Sequence, residues 1–134
     1  MIDDIRYIEE KTDGLRGKGR IARVGYSKTG KTIYWNGLTL VPCKGSPLKS
    51  NYYARETKQD YWVSSPARSG SDTLFPMEVF IDDDVREDYW SIIRGKPEQA
   101  SLSSYRSPGK TKKEKERLEK GLRRRQMDNG WMPQ

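Results

Sequence analysis

Closely spaced turn signals constrain this chain more than any other feature of its sequence. In KTIYWNGLTLVPC (residues 31–43), Asn36-Gly37 separates two short runs of β-branched and aromatic residues. Asn-Gly strongly favours a two-residue hairpin, because both central positions of that turn take a positive φ. Further turn signals divide residues 19–81 into five or six short segments; they lie at Thr29-Gly30, 45–50, 57–59 and 66–76. This spacing predicts a small antiparallel β-sheet.

The fold class follows from these strands and from one helical segment after them. The strands predict an α+β fold built on a small, strongly bent antiparallel β-sheet or SH3-like barrel, with an OB-like barrel or an open sheet as alternatives. In DDDVREDYWSIIRG (82–95), Asp84 and Glu87 have the spacing of a capping box, and Gly95 is placed as a C-cap. This helix is expected to pack on the sheet through an apolar stripe of Val85, Tyr89, Ile92 and Ile93.

Charge and composition divide the chain into four predicted parts. Residues 1–17, with three evenly spaced isoleucines, predict an N-terminal extension or short helix. Residues 18–95 contain the strands and the helix that caps them, and form the folded domain. Residues 96–109 are rich in Ser, Pro and Gly and predict a linker. Residues 110–134 carry nine Lys/Arg and four Asp/Glu, which predicts a basic tail that is helical or disordered.

Alternation along the strands sorts their side chains onto two faces. The residues expected to point inward are Ala22, Val24, Ile33, Leu40, Ala54, Tyr61, Val63, Val79 and Ile81. The opposite face is expected to carry Arg23, Tyr34, Tyr53, Arg55 and Trp62. A shift of the register by one residue would exchange the two sets.

Residues 25–32, GYSKTGKT, match the phosphate-binding loop pattern G-x-x-x-x-G-K-[ST]. In that motif a helix must open directly after the loop, so that its N-terminus meets the phosphates. Here the loop is followed by strand formers and then by Asn36-Gly37 and Pro42. Residues 28–31 are therefore expected to form a hairpin turn in which Gly30 takes a positive φ, and no nucleotide is expected to bind there.

The composition of the chain argues against several kinds of catalytic and metal-binding site. The chain has no histidine and only Cys43, which removes histidine bases, cysteine metal sites and disulfides. The carboxylates at 82–84 are expected to start a helix, not to bind a metal. We therefore expect no enzyme activity and no cofactor, although a hydrolase using Asp60, Asp72 and Glu78 remains an open alternative. No apolar run has the length of a membrane span, so a cytoplasmic protein is expected.

The excess of basic and aromatic residues points to nucleic acid as the partner. The formal net charge is +7, and residues 18–80 carry ten Lys/Arg against four Asp/Glu. Small β-folds often bind RNA or single-stranded DNA by stacking bases on aromatic rings beside cations. The candidate binding residues are Arg20, Arg23, Lys28, Lys31, Tyr34, Tyr53, Arg55, Trp62, Lys112, Lys113, Arg123, Arg124 and Arg125. The alternative is a protein-interaction module without catalytic activity, such as an accessory subunit or a phage- or plasmid-associated regulator.

The run GKGRIARVGYSKTGKTIYWNG, with NYY, DYW and DDDVREDYW after it, resembles a group of short bacterial proteins of uncharacterised activity. The resemblance covers about residues 15–95. Proteins of this group sometimes carry the label deoxyxylulose-phosphate synthase. That label implies a thiamine-diphosphate enzyme, for which 134 residues are far too few. No activity is therefore carried over from the resemblance.

Overall fold

The computed structural model describes residues 3–11, 18–43, 50–117 and 120. Within those ranges, nine β-strands form a single mixed sheet. In chain order they are β1 (Ile5–Glu10), β2 (Gly19–Arg23), β3 (Gly25–Tyr26), β4 (Ile33–Trp35), β5 (Leu38–Pro42), β6 (Tyr52–Ala54), β7 (Asp60–Ser64), β8 (Met77–Ile81) and β9 (Ser104–Ser107). Across the sheet their order is β3-β4-β5-β6-β7-β1-β2-β8-β9.

The predicted bent antiparallel sheet or SH3-like barrel is wrong, because the sheet is open and mixed. All its ladders are antiparallel except that between β2 and β8, which is parallel and pairs Gly19 with Val79. The long connection after β7 carries the chain across to the far side of β2, so β8 runs in the same direction as β2. Turn spacing reveals local hairpins but not where such a connection returns to the sheet.

The sheet curls back on itself without closing. Only Val24 separates β2 from β3, and its backbone N–H donates to the Asp4 carbonyl at 2.8 Å. Beyond this residue the chain leaves β1, and among the described strands β3 pairs with β4 alone. We call the gap between β3 and the adjoining ends of β1 and β7 the seam. Side chains bridge it: Arg6 Nε donates to the Tyr26 hydroxyl at 2.6 Å, and that hydroxyl donates to the Asp3 carbonyl at 3.0 Å.

Two apolar cores lie on opposite faces of the sheet. The inner core, inside the curl, consists of Ile8, Ala22, Val24, Ile33, Leu40, Ala54, Tyr61 and Val63. The helix-side core consists of Ile5, Tyr7, Ile21, Trp62, Val79, Ile81, Val85, Tyr89, Trp90, Ile93 and Tyr105. All nine residues predicted to point inward are buried, but Val79 and Ile81 belong to the helix-side core. Strands with a core on each face are apolar at successive positions, as in β1.

One continuous helical segment, α1, runs over residues 83–93 and packs on the helix-side core. It begins as a 3₁₀ turn at Asp83–Val85, continues as an α turn at Arg86–Asp88 and ends as a π turn at Tyr89–Ile93. The wider π turn buries Tyr89, Trp90 and Ile93 together and leaves Ile92 half exposed. The predicted stripe is therefore wrong at Ile92, where Trp90 takes the buried place.

The capping box predicted at the start of α1 does not form. No side chain caps this end of the segment. The three aspartates form ion pairs instead, each with a different arginine: Asp82 with Arg20, Asp83 with Arg86, and Asp84 with Arg23. These carboxylates therefore tie α1 to β2 and to its own first turn.

The predicted order of a sheet, a packed helix and a helical tail is also wrong at both ends. Within residues 1–17, the expected extension or short helix is instead β1, whose isoleucines face both cores. Within 96–109, the expected linker contains a 3₁₀ turn at Pro97–Gln99 and then β9, which pairs with β8. Residues 112–117 of the predicted tail are helical, and residues 118, 119 and 121–134 lie outside the described residues.

The two hairpin turns predicted from the sequence are confirmed. Asn36 and Gly37 have φ values of 51° and 74°, and they join β4 to β5. In the turn between β3 and β4, Gly30 has a φ of 75°, and its N–H donates to the Ser27 carbonyl at 2.9 Å. The chain then enters β4, so GYSKTGKT lacks the helix that a phosphate-binding loop requires.

We expect ATP or GTP with Mg²⁺ to leave the melting temperature unchanged in a thermal-shift assay. The physical reason is that the N–H groups of Lys31 and Thr32 donate to the hydroxyls of Thr29 and Ser27, at 3.5 and 3.1 Å, and do not converge on a phosphate. Saturable, Mg²⁺-dependent stabilisation that Lys31→Ala abolishes, and that the matched surface change Lys58→Ala retains, would contradict this expectation.

Candidate nucleic-acid interface

An exposed aromatic face lies on the side of β4, β5 and β6 that points away from the inner core. We define it by Tyr34, Val41 and Tyr53, whose strand neighbours Ile33, Leu40 and Ala54 fill the inner core. Tyr34 is 48% exposed, and Tyr53 is half-buried. Tyr34 pairs with Thr39, and Tyr53 pairs with Val41, so the tyrosines are two strands apart and offset by two residues. Sheet spacing places their backbones about 12 Å apart.

Four cations surround this face. Lys28 and Lys31 lie in the β3–β4 turn, while Arg55 and Lys58 follow β6, and all four are exposed. No ion pair joins any of them to a carboxylate within the described ranges. The Lys58 ammonium lies 5.8 Å from the centroid of the Tyr53 ring. The region therefore combines accessible ring surface with cations that are free to meet a phosphate.

Two carboxylates border the same region. Glu56 accepts hydrogen bonds from the Thr39 backbone N–H at 2.8 Å and from the Thr39 hydroxyl at 2.7 Å. Both hydrogen bonds lower the pKa of Glu56; the one from the Thr39 backbone N–H has the larger effect, and the one from the Thr39 hydroxyl comes second. Asp60 stands opposite Tyr53 in the β6–β7 ladder. Four cations against two carboxylates leave the region with a net positive charge.

Arg20 and Arg23 are less available than the sequence suggested. Arg20 pairs with Asp82. Arg23 lies 2.9 Å from Asp4 and 3.6 Å from Asp84, and the hydrogen bond to Asp4 is the main cause that raises the pKa of Arg23. Exposed ion pairs like these add little stability, on the order of 0–1 kcal/mol. Nevertheless, a phosphate would have to compete with their carboxylates.

Trp62 lies on the predicted face but is not accessible. It faces away from the inner core, as alternation predicts, yet it is 8% exposed and belongs to the helix-side core. Its assignment to an exposed surface is therefore wrong, because alternation does not show which part of a face another layer covers. Lys112 and Lys113 are exposed in the helical residues 112–117. Arg123, Arg124 and Arg125 lie outside the described residues.

Sequence reasoning missed a groove at the other end of β4. It has a volume of about 480 Å³, and Lys18, Arg20, Trp35 and Phe80 are among its lining residues. Phe80 is 48% exposed and pairs with Arg20 across the parallel β2–β8 ladder. The signal was present in MEVFI, since alternation that buries Val79 and Ile81 must turn Phe80 outward.

A second missed feature is a pocket at the seam, which we call the seam pocket. Its volume is about 430 Å³, and its walls include Arg6, Tyr26, Tyr52, Trp62 and Ser65. Arg6 is partly buried, and within the described ranges no carboxylate lies within ion-pair distance of it. Nothing in the sequence singled out Arg6, because its segment was predicted to lie outside the sheet.

A buried polar cluster at the end of β1 is structural in character. Glu9 and Lys11 are each 1% exposed and form an ion pair. The Tyr7 hydroxyl donates to Glu9, and burial, followed by the nearby Glu9 charge, raises the pKa of Tyr7. Such a network holds its members in one arrangement but offers no opening to a ligand.

The carboxylates proposed for a hydrolase do not come together. Asp72 is buried beneath Tyr105, whose hydroxyl donates to it at 2.5 Å, and burial raises the pKa of Asp72. Asp60 lies on β7, and Glu78 is exposed on β8. In the described part of the chain, no three acidic, histidine or cysteine side chains are placed to hold a metal ion.

Comparison with known proteins adds no relative to this picture. No family model matches the chain, and neither a curated protein nor a solved structure matches it. Among the described residues there is no helix with the length and apolar character needed to cross a bilayer.

Proposed function

We propose that the protein binds single-stranded nucleic acid, RNA or DNA, on the aromatic face. The observation that carries this proposal is the Tyr34 ring, 48% exposed on a regular sheet, beside Lys28 and Lys31, which form no ion pair with any described carboxylate. A base stacked on an exposed aromatic ring contributes about 1–3 kcal/mol, and the neighbouring cations attract the backbone. Any sequence of bases can use such a surface, since every base has a flat face.

A single strand suits this surface better than a duplex. Readers of duplex DNA usually insert a helix or a ribbon into the major groove. In the described residues the longest helical segment is α1, whose inner side is packed on the sheet. Its first turns carry Asp83, Asp84, Glu87 and Asp88, which would repel phosphates. An unpaired strand, by contrast, exposes its bases to Tyr34 and Tyr53.

The alternative, a protein-interaction module, is supported by the outer edge of β9, which pairs with no described strand other than β8. The Ile81 N–H donates to the Ser103 carbonyl at 2.9 Å, so the alternating ladder turns the backbone groups of Ser104 and Arg106 away from β8. Nearby Leu102 is 46% exposed. An extended peptide can add to such an edge. This edge is distant along the sheet from β4–β6, so variants separate the two functions.

Replacing Tyr34 or Tyr53 by alanine is expected to weaken binding of a single-stranded oligonucleotide. The loss should be about 1–3 kcal/mol for each ring, because alanine removes the stacking surface. Fluorescence anisotropy with labelled RNA and DNA 10-mers measures it, and thermal unfolding should show that both variants remain folded.

Leu102→Ala is the matched control, since it removes an equally exposed apolar side chain near β9. It should leave oligonucleotide affinity unchanged. If Leu102→Ala weakens binding as much as Tyr34→Ala does, the aromatic face is not the interface. If the tyrosine variants mainly lose stability, the rings serve packing instead.

A further inference from the structure

The seam pocket contains an arginine in an unusual setting. The Arg6 guanidinium donates to the Tyr26 hydroxyl through Nε at 2.6 Å and to the Ser65 hydroxyl through Nη1. Both partners are neutral, and the side chain is partly buried. Partial burial leaves the guanidinium less screened by water than a fully exposed one, so a nearby anion would stabilise it. The geometry around Arg6 therefore has room and charge for an anion.

Other hydroxyl groups surround the same position. Tyr52 also lines the pocket. Burial raises the pKa of Tyr52, the Tyr26 hydroxyl adds to that effect, and the positive charge of Arg6 opposes it, so the two phenols and the guanidinium are close together. Phosphate oxygens accept several hydrogen bonds at once, and an arginine fork with hydroxyl donors is a common way to bind them.

The pocket adjoins the aromatic face. Gly30 lines the pocket, and the turn that contains it also carries Lys28 and Lys31. From Lys31 the chain reaches Tyr34 in three residues, about 10 Å at the rise of a strand. A strand stacked on Tyr34 can therefore continue over the lysines to Arg6 without leaving the surface.

We propose that the seam pocket binds a phosphate group of the single strand held on the aromatic face, with Arg6 and Ser65 as its donors. This inference rests on the proposed function. The phosphate is either a terminal monoester or an internal phosphodiester, and both present at least two non-bridging oxygens that accept hydrogen bonds. The volume of the seam pocket, about 430 Å³, falls within the range of ligand pockets, about 300–1,000 Å³.

The test compares Arg6→Gln and Ser65→Ala with the wild type. Affinity is measured at several salt concentrations for one 10-mer in three forms: 5′-phosphorylated, 3′-phosphorylated and without a terminal phosphate. Arg68→Gln is the control, because Arg68 is an exposed arginine that lines the neighbouring cleft and not the seam pocket. Thermal unfolding establishes that each variant is folded. If Arg6→Gln does not fold, Ser65→Ala still tests the pocket.

Arg6→Gln is expected to weaken binding about 10- to 100-fold, the effect of losing a charge-assisted hydrogen bond. The slope of log K against log salt should shrink by about 0.7, the value for one phosphate contact on a single strand. Ser65→Ala should weaken binding less and leave the slope unchanged. Arg68→Gln should change neither quantity. A loss confined to one phosphorylated form identifies a terminal monoester, and an equal loss in all three identifies an internal phosphodiester.

A second measurement separates this inference from the proposed function. Inorganic phosphate is titrated into the labelled protein, and the NMR signals of the Gly30 amide and the Asn51 side chain, both at the pocket, are followed. Saturable shifts that Arg6→Gln abolishes support the site even if no oligonucleotide binds. Absent shifts, together with an Arg6→Gln variant that binds strands like wild type, overturn it even if Tyr34 and Tyr53 prove essential.

Discussion

Replacing Lys11 by methionine is expected to lower the free energy of unfolding by about 3–5 kcal/mol, the usual cost of removing one partner of a buried ion pair. Lys11 and Glu9 are each 1% exposed. The substitution keeps the apolar stem but leaves the Glu9 carboxylate buried without its ammonium partner. Equilibrium urea unfolding, followed by far-UV circular dichroism, measures the change.

The double variant Glu9→Gln/Lys11→Met removes both charges and should recover much of this loss. This recovery is expected because an uncharged pair of similar size is often as stable as the buried ion pair that it replaces. Lys58→Met, at an exposed lysine, serves as the control and should stay within about 0.5 kcal/mol of wild type. A loss below about 1 kcal/mol for Lys11→Met alone would show that Glu9 changes its protonation or its surroundings freely, against the rigid cluster described above.

Removing residues 118–134 is expected to reduce nucleic-acid affinity strongly and for all sequences alike. The deleted segment contains four cations, Lys120, Arg123, Arg124 and Arg125. If each meets one phosphate, the slope of log K against log salt shrinks by about 3 for a single strand. Each tenfold decrease in salt then favours the full chain over the truncated one by about 10³ in affinity.

The cut is placed after Arg117 because the preceding residues contact the sheet domain. Lys110 Nζ donates to the Ser71 carbonyl at 2.5 Å, and the Lys115 ammonium lies 4.4 Å from the centroid of the Phe75 ring. Both cores consist of residues that remain, so the thermal midpoint should be nearly unchanged. A tail of the same composition in scrambled order should restore most of the binding. An unchanged salt slope would instead direct attention to a protein partner.

Local signals in the sequence predicted local structure well. The turns at Asn36-Gly37 and at 28–31 form as expected, because a positive φ is a property of one or two residues. Alternation also placed Ala22 and Tyr61 in the inner core and Tyr34 on the exposed face. These inferences need only a residue and its immediate neighbours.

Long-range pairing could not be read in the same way. The segment IRYIEE has apolar residues on both of its faces, because β1 lies between two cores, and evenly spaced isoleucines then imitate a helix. The strand β9 lies in a Ser- and Pro-rich stretch and depends on β8 for its structure. Strand propensity depends strongly on such partners.

The candidate site was predicted only in part, because some of its features are local and others depend on tertiary packing. Tyr34, Lys28 and Lys31 were found because their exposure follows from turn and strand periodicity. Trp62 was misplaced because the covering of a face is a tertiary property. Arg6 was missed because the seam pocket forms where the chain leaves β1 between β2 and β3, and no local sequence pattern predicts that departure.

The seam also determines how the molecule can respond to a load. A closed barrel has a fixed circumference, since widening it requires breaking a backbone ladder. Here no ladder joins β3 to β1 or β7 among the described residues, and contacts of Arg6, Tyr26 and Ser65 bridge the gap instead. Side chains can exchange rotamers in nanoseconds, whereas unzipping a strand is far slower. In the described part of the chain, we therefore expect the seam to be where the curl widens or narrows while the strand ladders stay paired.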